Sequence, residues 1–227
     1  VYVLLRIFGT VLPADLHGVH QLMAWLAGVT MLVAVIGAVS RNFIRGILSF
    51  HILSQIGFMV LAIGFYTPLS FAAAIFYIIH HIVVKASLFL IGGVAALLNR
   101  TDDLGRMGNL WKHTPWLGVL FLIQALSLAG LPPLSGFWGK YVILVVGVQQ
   151  REFVLVGAAI VASVLTLFSM LKIWNGAFWN AAPEVPVRTD DRRWVPMTWV
   201  VGGLTAISLV IGVGAEAFLQ LAQEAAT

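Results

Sequence analysis

Long apolar stretches alternate with short polar segments along the whole chain. A helix needs roughly 20 apolar residues to cross a hydrocarbon core about 30 Å thick, and six stretches meet that need. They lie at 20–40, 43–66, 69–98, 116–149, 153–179 and 195–221, after a shorter stretch at 1–12. The pattern predicts an all-α integral membrane protein, a polytopic bundle of helices joined by short loops.

The composition also favours a membrane protein. Of the 227 residues, 60% are hydrophobic and 10% are charged, whereas soluble domains carry about 25% charged residues. The sequence contains no cysteine, which excludes disulfides, zinc–thiolate sites and iron–sulfur clusters. The chain is apolar from Val1 onward, without a basic segment before a cleavage site. We therefore interpret 1–12 as the end of a truncated transmembrane helix.

Lysine and arginine residues are divided unequally between alternate loops. One set of loops carries Arg41, Arg45, Arg100, Arg106, Lys112, Arg188, Arg192 and Arg193. The other set, with the end of segment 1–12, carries only Arg6 and Arg151. Basic residues are enriched in cytoplasmic loops, so the asymmetry predicts a C-terminus outside the cytoplasm. Short basic clusters between apolar runs also argue against a nucleic-acid partner.

The segment LAGLPPLSGFWGKYVILVV, at 128–146, interrupts the fourth full span. As one helix, 116–149 would be about 51 Å long, which is too long for a straight crossing. Backbone outside helices is tolerated at membrane depth only inside protein or beside a water-filled cavity, and discontinuous helices form ion sites in transporters. We predict two half-helices joined over 130–136. The residues of this predicted break are Gly130, Pro132, Pro133, Ser135 and Gly136.

Lys140 follows the predicted break inside the apolar span. It lies ten residues before Gln150, or about 15 Å along a helix, which is too deep for its side chain to reach the interface. A charged lysine at that depth costs several kcal/mol, comparable with the cost of neutralising the amine at pH 7. This similarity predicts an amine that gains and loses protons, as a relay requires. The alternative is a simple proline kink with Lys140 extended toward the interface.

The preceding span carries a second set of polar residues at helical spacing. Tyr77, His81 and Lys85 recur every four residues and share one face over roughly 12 Å. They predict a proton-relay column, and the alternative is a set of interhelical hydrogen bonds. His80 points about 100° away from that face, and both interpretations remain open for it.

Two weaker candidates remain. His51, Ser54 and Gln55 fall within one helical turn, where they either hydrate a channel or bond helices together. Lys172 lies two turns from Trp179, so a relay role and a structural role near the interface are both compatible with the sequence.

Four segments resemble the proton-translocating membrane subunits shared by respiratory complex I and Mrp-type multisubunit Na⁺/H⁺ antiporters, most of all the D subunit of the Mrp type. They are HILSQIGFM (51–59), AIFYIIHHIVVKASLFLIGG (74–93), SLAGLPPLSGFWGKY (127–141) and LFSMLKIWNGAFW (167–179). The resemblance implies the C-terminal half of the antiporter-like fold. Residues 20–179 would form its second inverted five-helix repeat, and 195–221 its final helix. Lys140 would be the broken-helix lysine, and Lys85 and His81 the relay residues. Gly176 departs from the acidic residue expected in Mrp relatives.

The resemblance implies a transporter subunit rather than an enzyme: a proton half-channel of a Na⁺ or other cation/H⁺ antiporter. The implied partners are other subunits of the complex, H⁺, Na⁺ and the lipid bilayer, in a multi-pass protein of the bacterial inner membrane. No nucleotide loop, haem ligand set, nucleophile–base pair or carboxylate dyad is present in the sequence, so we expect no cofactor and no metal. The alternatives are a proton-pumping subunit of complex I or of a membrane-bound hydrogenase, and a scaffold without transport.

Overall fold

The computed structural model describes residues 1–11, 17–181, 187, 189 and 192–225, and all regular elements within these ranges are helices. The predicted all-α fold is therefore confirmed for the described part of the chain. Two predicted features fall elsewhere: Leu12, at the end of the first segment, and Arg188, in the third basic loop, lie outside the described residues.

The helices follow one another with short connections. In chain order they are α1 (Tyr2–Arg6), α2 (His17–Ser40), α3 (Ile44–Gly64), α4 (Pro68–Asn99), α5 (Leu110–His113), α6 (Pro115–Ala129), α7 (Ser135–Gln149), α8 (Phe153–Ile173), α9 (Trp194–Val213) and α10 (Ala215–Glu224). Two π-helical segments, Ile7–Val11 and Trp174–Trp179, extend α1 and α8. Among the described residues, five helices are long and apolar enough to cross a membrane: α2, α3, α4, α8 with its extension, and α9.

Helix α4 is the longest element, with 32 residues, or about 48 Å at 1.5 Å per residue. A capping box begins it: the Thr67 hydroxyl accepts from the Ser70 N–H at 3.1 Å, and Ser70 Oγ accepts from the Thr67 N–H at 3.0 Å. Pro68 occupies the first helical position, where its missing N–H removes no helical bond. This long helix packs on α3, α6, α7, α9 and α10, so it contacts most of the bundle.

The first two loops with predicted cytoplasmic charge meet at one end of the bundle. The Leu104 N–H donates to the Asn42 carbonyl at 2.9 Å, and the Asn109 N–H donates to the Asn180 carbonyl at 2.7 Å. These bonds join the α2–α3 and α4–α5 connections to the end of the α8 extension. We call this end the basic end, defined by 41–43, 100–109 and Asn180. The opposite end is defined by 65–67 and 150–152.

The last predicted span, 195–221, is two helices rather than one. Helix α9 ends at Val213, and Gly214 separates it from α10. Helix α10 is amphipathic: Phe218 and Leu219 pack with apolar residues of α4 on one face. A helix of ten residues is too short to cross the hydrocarbon core, and α9, the helix long enough to cross it, ends about two turns before the predicted bound at 221.

The apolar core is divided by depth into two large clusters with polar side chains between them. On α3, Leu48 belongs to the cluster near the basic end and Phe58 to the cluster near the opposite end. His51, Ser54 and Gln55 lie between those two residues and are fully buried. The bundle therefore contains a polar layer at middle depth, held between apolar layers that exclude lipid and bulk water.

Candidate functional site

The predicted helix break is present, although it is shorter than 130–136. Helix α6 ends at Ala129, and Gly130 adopts a left-handed conformation with φ 91°. The Pro132–Pro133 peptide bond is cis. Helix α7 already begins at Ser135, so Ser135 and Gly136 are the first residues of the second half-helix rather than part of the connection. Proline prevents the chain from remaining helical across this point.

Lys140 completes the hydrogen bonding of the helix end at the break. A helix leaves its last four carbonyls without partners in the helix. The first two of these, on Leu126 and Ser127, accept from the N–H groups that follow. The other two, on Leu128 and Ala129, accept from Lys140 Nζ at 3.0 and 3.1 Å. The ammonium group thus binds at the negative end of the α6 dipole.

The surroundings of Lys140 are closed to lipid. Its side chain is 4% exposed, and its Nζ lies 4.6 Å from the centre of the Phe58 ring, a cation–π contact. Lys85 is similarly buried, at 5% exposure, and donates to the Leu48 carbonyl at 3.0 Å. Both amines therefore lie inside the protein within the polar layer.

The predicted column on α4 is buried, but its members are not bonded to one another. The Tyr77 hydroxyl donates to Gln55 Oε1 on α3. Lys85 points to the Leu48 carbonyl, and His81 Nε2 has no hydrogen-bond partner among the described residues. The column thus consists of separate polar groups on one helix face: Tyr77 and Lys85 bond to different residues of α3, and His81 Nε2 stays unpaired among the described residues.

His80 contacts the first turn of α7, directly after the break. Its Nδ1 lies 2.7 Å from Ser135 Oγ, and the ring packs on Tyr77 with centroids 5.1 Å apart. Gly136 permits this approach, because a Cβ there would lie 2.9 Å from the His80 ring and would overlap the Ser127 carbonyl oxygen. Thus His80, which is not on the predicted relay face, contacts the second half-helix α7, and the neighbouring His81 on that face does not bond to it.

The three polar residues of α3 join different helices. His51 Nε2 lies 2.5 Å from Ser169 Oγ on α8, and Ser54 donates to the Met31 carbonyl on α2 at 3.2 Å. His51 Nδ1 and Gln55 Nε2 have no partner among the described residues. His51, His81, Lys85 and Lys140 are all buried in this part of the bundle, and we call these four residues the polar unit.

Lys172 lies apart from this unit, at the basic end. Its Nζ donates to the Val39 carbonyl at 3.0 Å and to the Arg41 carbonyl at 2.6 Å. These carbonyls surround the C-terminus of α2, so the contacts favour the structural alternative for Lys172.

Sequence reasoning missed several polar partners of the site. Gln124 and Ser127 on α6, and Thr205 and Ser208 on α9, are buried beside the break. Each pair is spaced i, i+3 within an otherwise apolar helix, which places it on one face. The sequence therefore contained a pattern from which a polar face on α6 and on α9 could have been predicted. Among the described residues, no group of three histidine, aspartate or glutamate side chains is placed to hold a metal ion.

Comparison with known proteins adds family information. The family model "NADH:quinone oxidoreductase/Mrp antiporter, TM" matches residues 1–166. The chain is 39% identical over 226 residues to the D subunit of the Na(+)/H(+) antiporter of Alkalihalophilus pseudofirmus, covering 100% of this chain and 46% of that protein. It is 35% identical over 215 residues to the corresponding antiporter protein of Bacillus subtilis, covering 95% of this chain and 43% of that protein.

A solved structure matches the fold as well. A chain in the structure of the Mrp complex from Dietzia sp. superposes with a TM-score of 0.91 and 29% identity, covering 99% of this chain and 50% of that one. The chain thus spans about half the length of the relatives it matches. The matched family region contains α2 to α7, and with them the break, Lys85 and Lys140. The chain belongs to the NADH:quinone oxidoreductase/Mrp antiporter family of transmembrane proteins.

Proposed function

We propose that the chain forms a proton half-channel in a membrane subunit of a multisubunit Na⁺/H⁺ antiporter. The observation that carries the proposal is Lys140, a buried amine bound to the carbonyls of a broken helix. The relatives that are 39% and 35% identical are named as antiporter subunits, and the Mrp match comes from a complex. The proposed partners are therefore other subunits of such a complex, together with H⁺ and Na⁺.

Lys140 acts as the switch of this half-channel. In its charged form it donates to the Leu128 and Ala129 carbonyls and faces the Phe58 ring. Both contacts favour a cation. A positive charge that arrives at Lys85 or on a nearby histidine opposes the charge on Lys140, because like charges repel. Proton arrival at one group thus promotes proton release from the other.

Water completes the route between these groups. His51 Nδ1, Gln55 Nε2 and His81 Nε2 are buried polar atoms without a partner among the described residues, and such atoms are normally satisfied by ordered water. A water chain through the polar layer connects Lys85 and His81 with Lys140, and the Tyr77 hydroxyl positions Gln55 beside it. The proton then moves by short transfers between side chains and water.

The proposed location is the bacterial inner membrane, with the basic end in the cytoplasm and the C-terminus outside. Gln223 on α10 and Arg106 at the basic end are both exposed. Cysteine placed at each position should react from opposite sides with a membrane-impermeant reagent. Labelling of Gln223→Cys from the cytoplasmic side would contradict this orientation.

The decisive experiment is Lys140→Ala in the complete complex, reconstituted in vesicles. Na⁺-driven proton exchange should disappear while the complex still assembles. Lys112→Ala is the matched control, because Lys112 is an exposed lysine on α5, just after the basic end, and this variant should exchange normally. Normal exchange by an assembled Lys140→Ala complex would overturn the proposal.

The family name also includes NADH:quinone oxidoreductase, so a subunit of a redox-driven pump is the second candidate. Such an assembly requires flavin or iron–sulfur proteins. Identification of the subunits that co-purify with the full-length protein distinguishes the two: partners without redox centres support the antiporter, and redox partners support the pump.

A further inference from the structure

A group of hydroxyls surrounds the start of α7, on the side where His80 approaches. Ser135 Oγ lies 2.7 Å from His80 Nδ1, 3.1 Å from Ser127 Oγ and 3.2 Å from Ser208 Oγ. One hydroxyl offers one donor and two acceptors, so Ser135 is fully bonded by these three neighbours. Ser208 belongs to α9, which lies outside the expected five-helix repeat at 20–179.

A second polar pair lies one helical turn closer to the basic end. Gln124 Nε2 donates to Thr205 Oγ1 at 3.1 Å. Gln124 precedes Ser127 on α6 by three residues, and Thr205 precedes Ser208 on α9 by three, so the two levels are about 4.5 Å apart along the helices. The four side chains form a column between α6 and α9.

The backbone of α9 is close enough to the break to make this column. A Cβ at Gly212 would lie 2.8 Å from Ser135 N and 3.0 Å from the Pro133 carbonyl oxygen. Thr205, Ser208 and Gly212 share one face of α9. That face packs against the connection between α6 and α7 and the start of α7. Ser208 is 2% exposed, so its hydroxyl is shielded from lipid.

Unpaired polar atoms lie at both ends of the chain of groups that runs from His80 through Ser135 to the column. His80 Nε2 and Gln124 Oε1 are buried and have no hydrogen-bond partner among the described residues. Buried groups of this kind require a partner, and water is the usual one. The hydroxyls of this set are bonded to one another or to the backbone, whereas the histidine and the glutamine at its two ends each keep an unpaired atom that can bind water.

We propose that α9 contributes a side branch to the proton path, with Ser208 and Thr205 as its proton-carrying groups. The branch runs from His80 through Ser135 and Ser208 to the Thr205–Gln124 pair, toward the basic end. Each hydroxyl accepts a proton on a lone pair and releases its own to the next group or to a linking water, so no group changes its net protonation. The Thr205 hydroxyl, which donates to the Val201 carbonyl at 2.8 Å, takes part by turning its O–H from that carbonyl to the linking water. The inference rests on the proposed proton transport.

The test is Ser208→Ala in the complete complex, with Na⁺-driven proton exchange measured in vesicles. Exchange should fall about tenfold, the rate equivalent of one lost hydrogen bond, and Ser208→Thr should restore it. Thr166→Val is the matched control: Thr166 is a buried hydroxyl that bonds only to the Ala162 carbonyl of its own helix. This control should leave exchange unchanged.

Several outcomes would overturn the branch. One is wild-type exchange by an assembled Ser208→Ala complex, and another is equal loss in Ser208→Ala and Thr166→Val. If Ser208→Ala fails to assemble, the isosteric Thr205→Val decides instead: reduced exchange supports the branch, and wild-type exchange refutes it. Lys140→Ala, measured in parallel, separates the two proposals. Loss in Lys140→Ala with normal Ser208→Ala refutes the branch alone, whereas normal exchange in Lys140→Ala refutes proton transport through this chain.

Discussion

Lys140 and Lys172 make the same kind of contact at two different depths. Lys140 donates to the last two carbonyls of α6 at 3.0 and 3.1 Å. Lys172 donates at 3.0 and 2.6 Å to the Val39 and Arg41 carbonyls around the end of α2. In both cases an ammonium group completes the hydrogen bonding of a helix C-terminus, where the helix dipole favours a positive charge.

Their surroundings differ. Lys140 is buried in the polar layer beside a helix break, whereas Lys172 is half-buried at the basic end. The free energy of holding a charge rises steeply with depth in a membrane, so a charge on Lys140 is costlier to hold than one near the interface. The same pair of bonds is therefore a structural cap at one site and a proposed proton switch at the other. Depth, rather than the bonding pattern, separates the two roles.

The substitution Lys140→Arg distinguishes most clearly between two roles of Lys140, capping the end of α6 and acting as a proton switch. Arginine keeps the charge and can donate to the same carbonyls, but it does not release its proton in proteins. We expect Na⁺-driven exchange to fall by about 100-fold or more, the usual worth of an essential acid–base group, in a complex that still assembles. Assembly is followed by co-purification and exchange by a pH-sensitive dye inside vesicles.

Lys172→Arg is the control for that substitution and should exchange at the wild-type rate. If Lys140→Arg also retained exchange, a permanently charged group would suffice at the break, and the switch hypothesis would be wrong.

The next effect is expected at Gly130, which shapes the carbonyl end that Lys140 binds. In Gly130→Ala the residue must keep φ near 91°, and its Cβ would lie 2.9 Å from Lys140 Cδ. Strain of this kind costs about 1–3 kcal/mol, and the displaced amine should lower exchange about tenfold. Thermal denaturation in detergent and vesicle exchange measure the two effects.

Gly203→Ala on α9 provides the comparison, since no atom lies within 4 Å of the added Cβ. It should leave stability and exchange unchanged. If Gly130→Ala also left stability and exchange unchanged, the site would tolerate movement of the helix end, and this prediction would be wrong.

The sequence predicted the parts of the site that follow from local rules. Two prolines beside glycine cannot continue a helix, so the break was predictable, and a lysine ten residues from a helix end in an apolar span must be deep. The shorter break was not predictable, because an α-helix can begin directly at Ser135 once the chain has turned. The end of the last span was missed although Gly214 and the polar Glu216, Gln220 and Gln223 mark an amphipathic segment in the sequence; only its packing on α4 required the structure.

The contacts between distant segments could not be predicted from one helix at a time. His80 meets Ser135, 55 positions later, and Gln124 meets Thr205, 81 positions later. Helical spacing states which residues share a face, but packing decides which neighbour that face meets. The role of Lys172 also stayed open in the sequence, between a proton relay and a structural contact. Its acceptors, the Val39 and Arg41 carbonyls, are brought close only by the packing of α2.

A smaller effect is expected from Tyr77→Phe, which removes one hydroxyl from the polar layer. Gln55 then loses the donor to its Oε1, in a site where its Nε2 already has no partner among the described residues. The loss of one buried hydrogen bond costs about 1–3 kcal/mol, and exchange should fall about two- to fivefold because water can take the place of the hydroxyl. Tyr141 is 49% exposed, so Tyr141→Phe should change neither the stability nor the rate of exchange.

The smallest effect on transport is expected from Lys172→Met, which tests the structural role assigned to the lysine at the basic end. Methionine keeps an apolar stem of similar length and removes the ammonium group from the Val39 and Arg41 carbonyls. Because these carbonyls lie at the basic end, water can replace the lost donor, and the stability should fall by only about 1 kcal/mol. The exchange rate should equal that of the wild type. A strong loss of exchange with unchanged thermal stability would place Lys172 in the proton path, and depth would then no longer separate the two lysines.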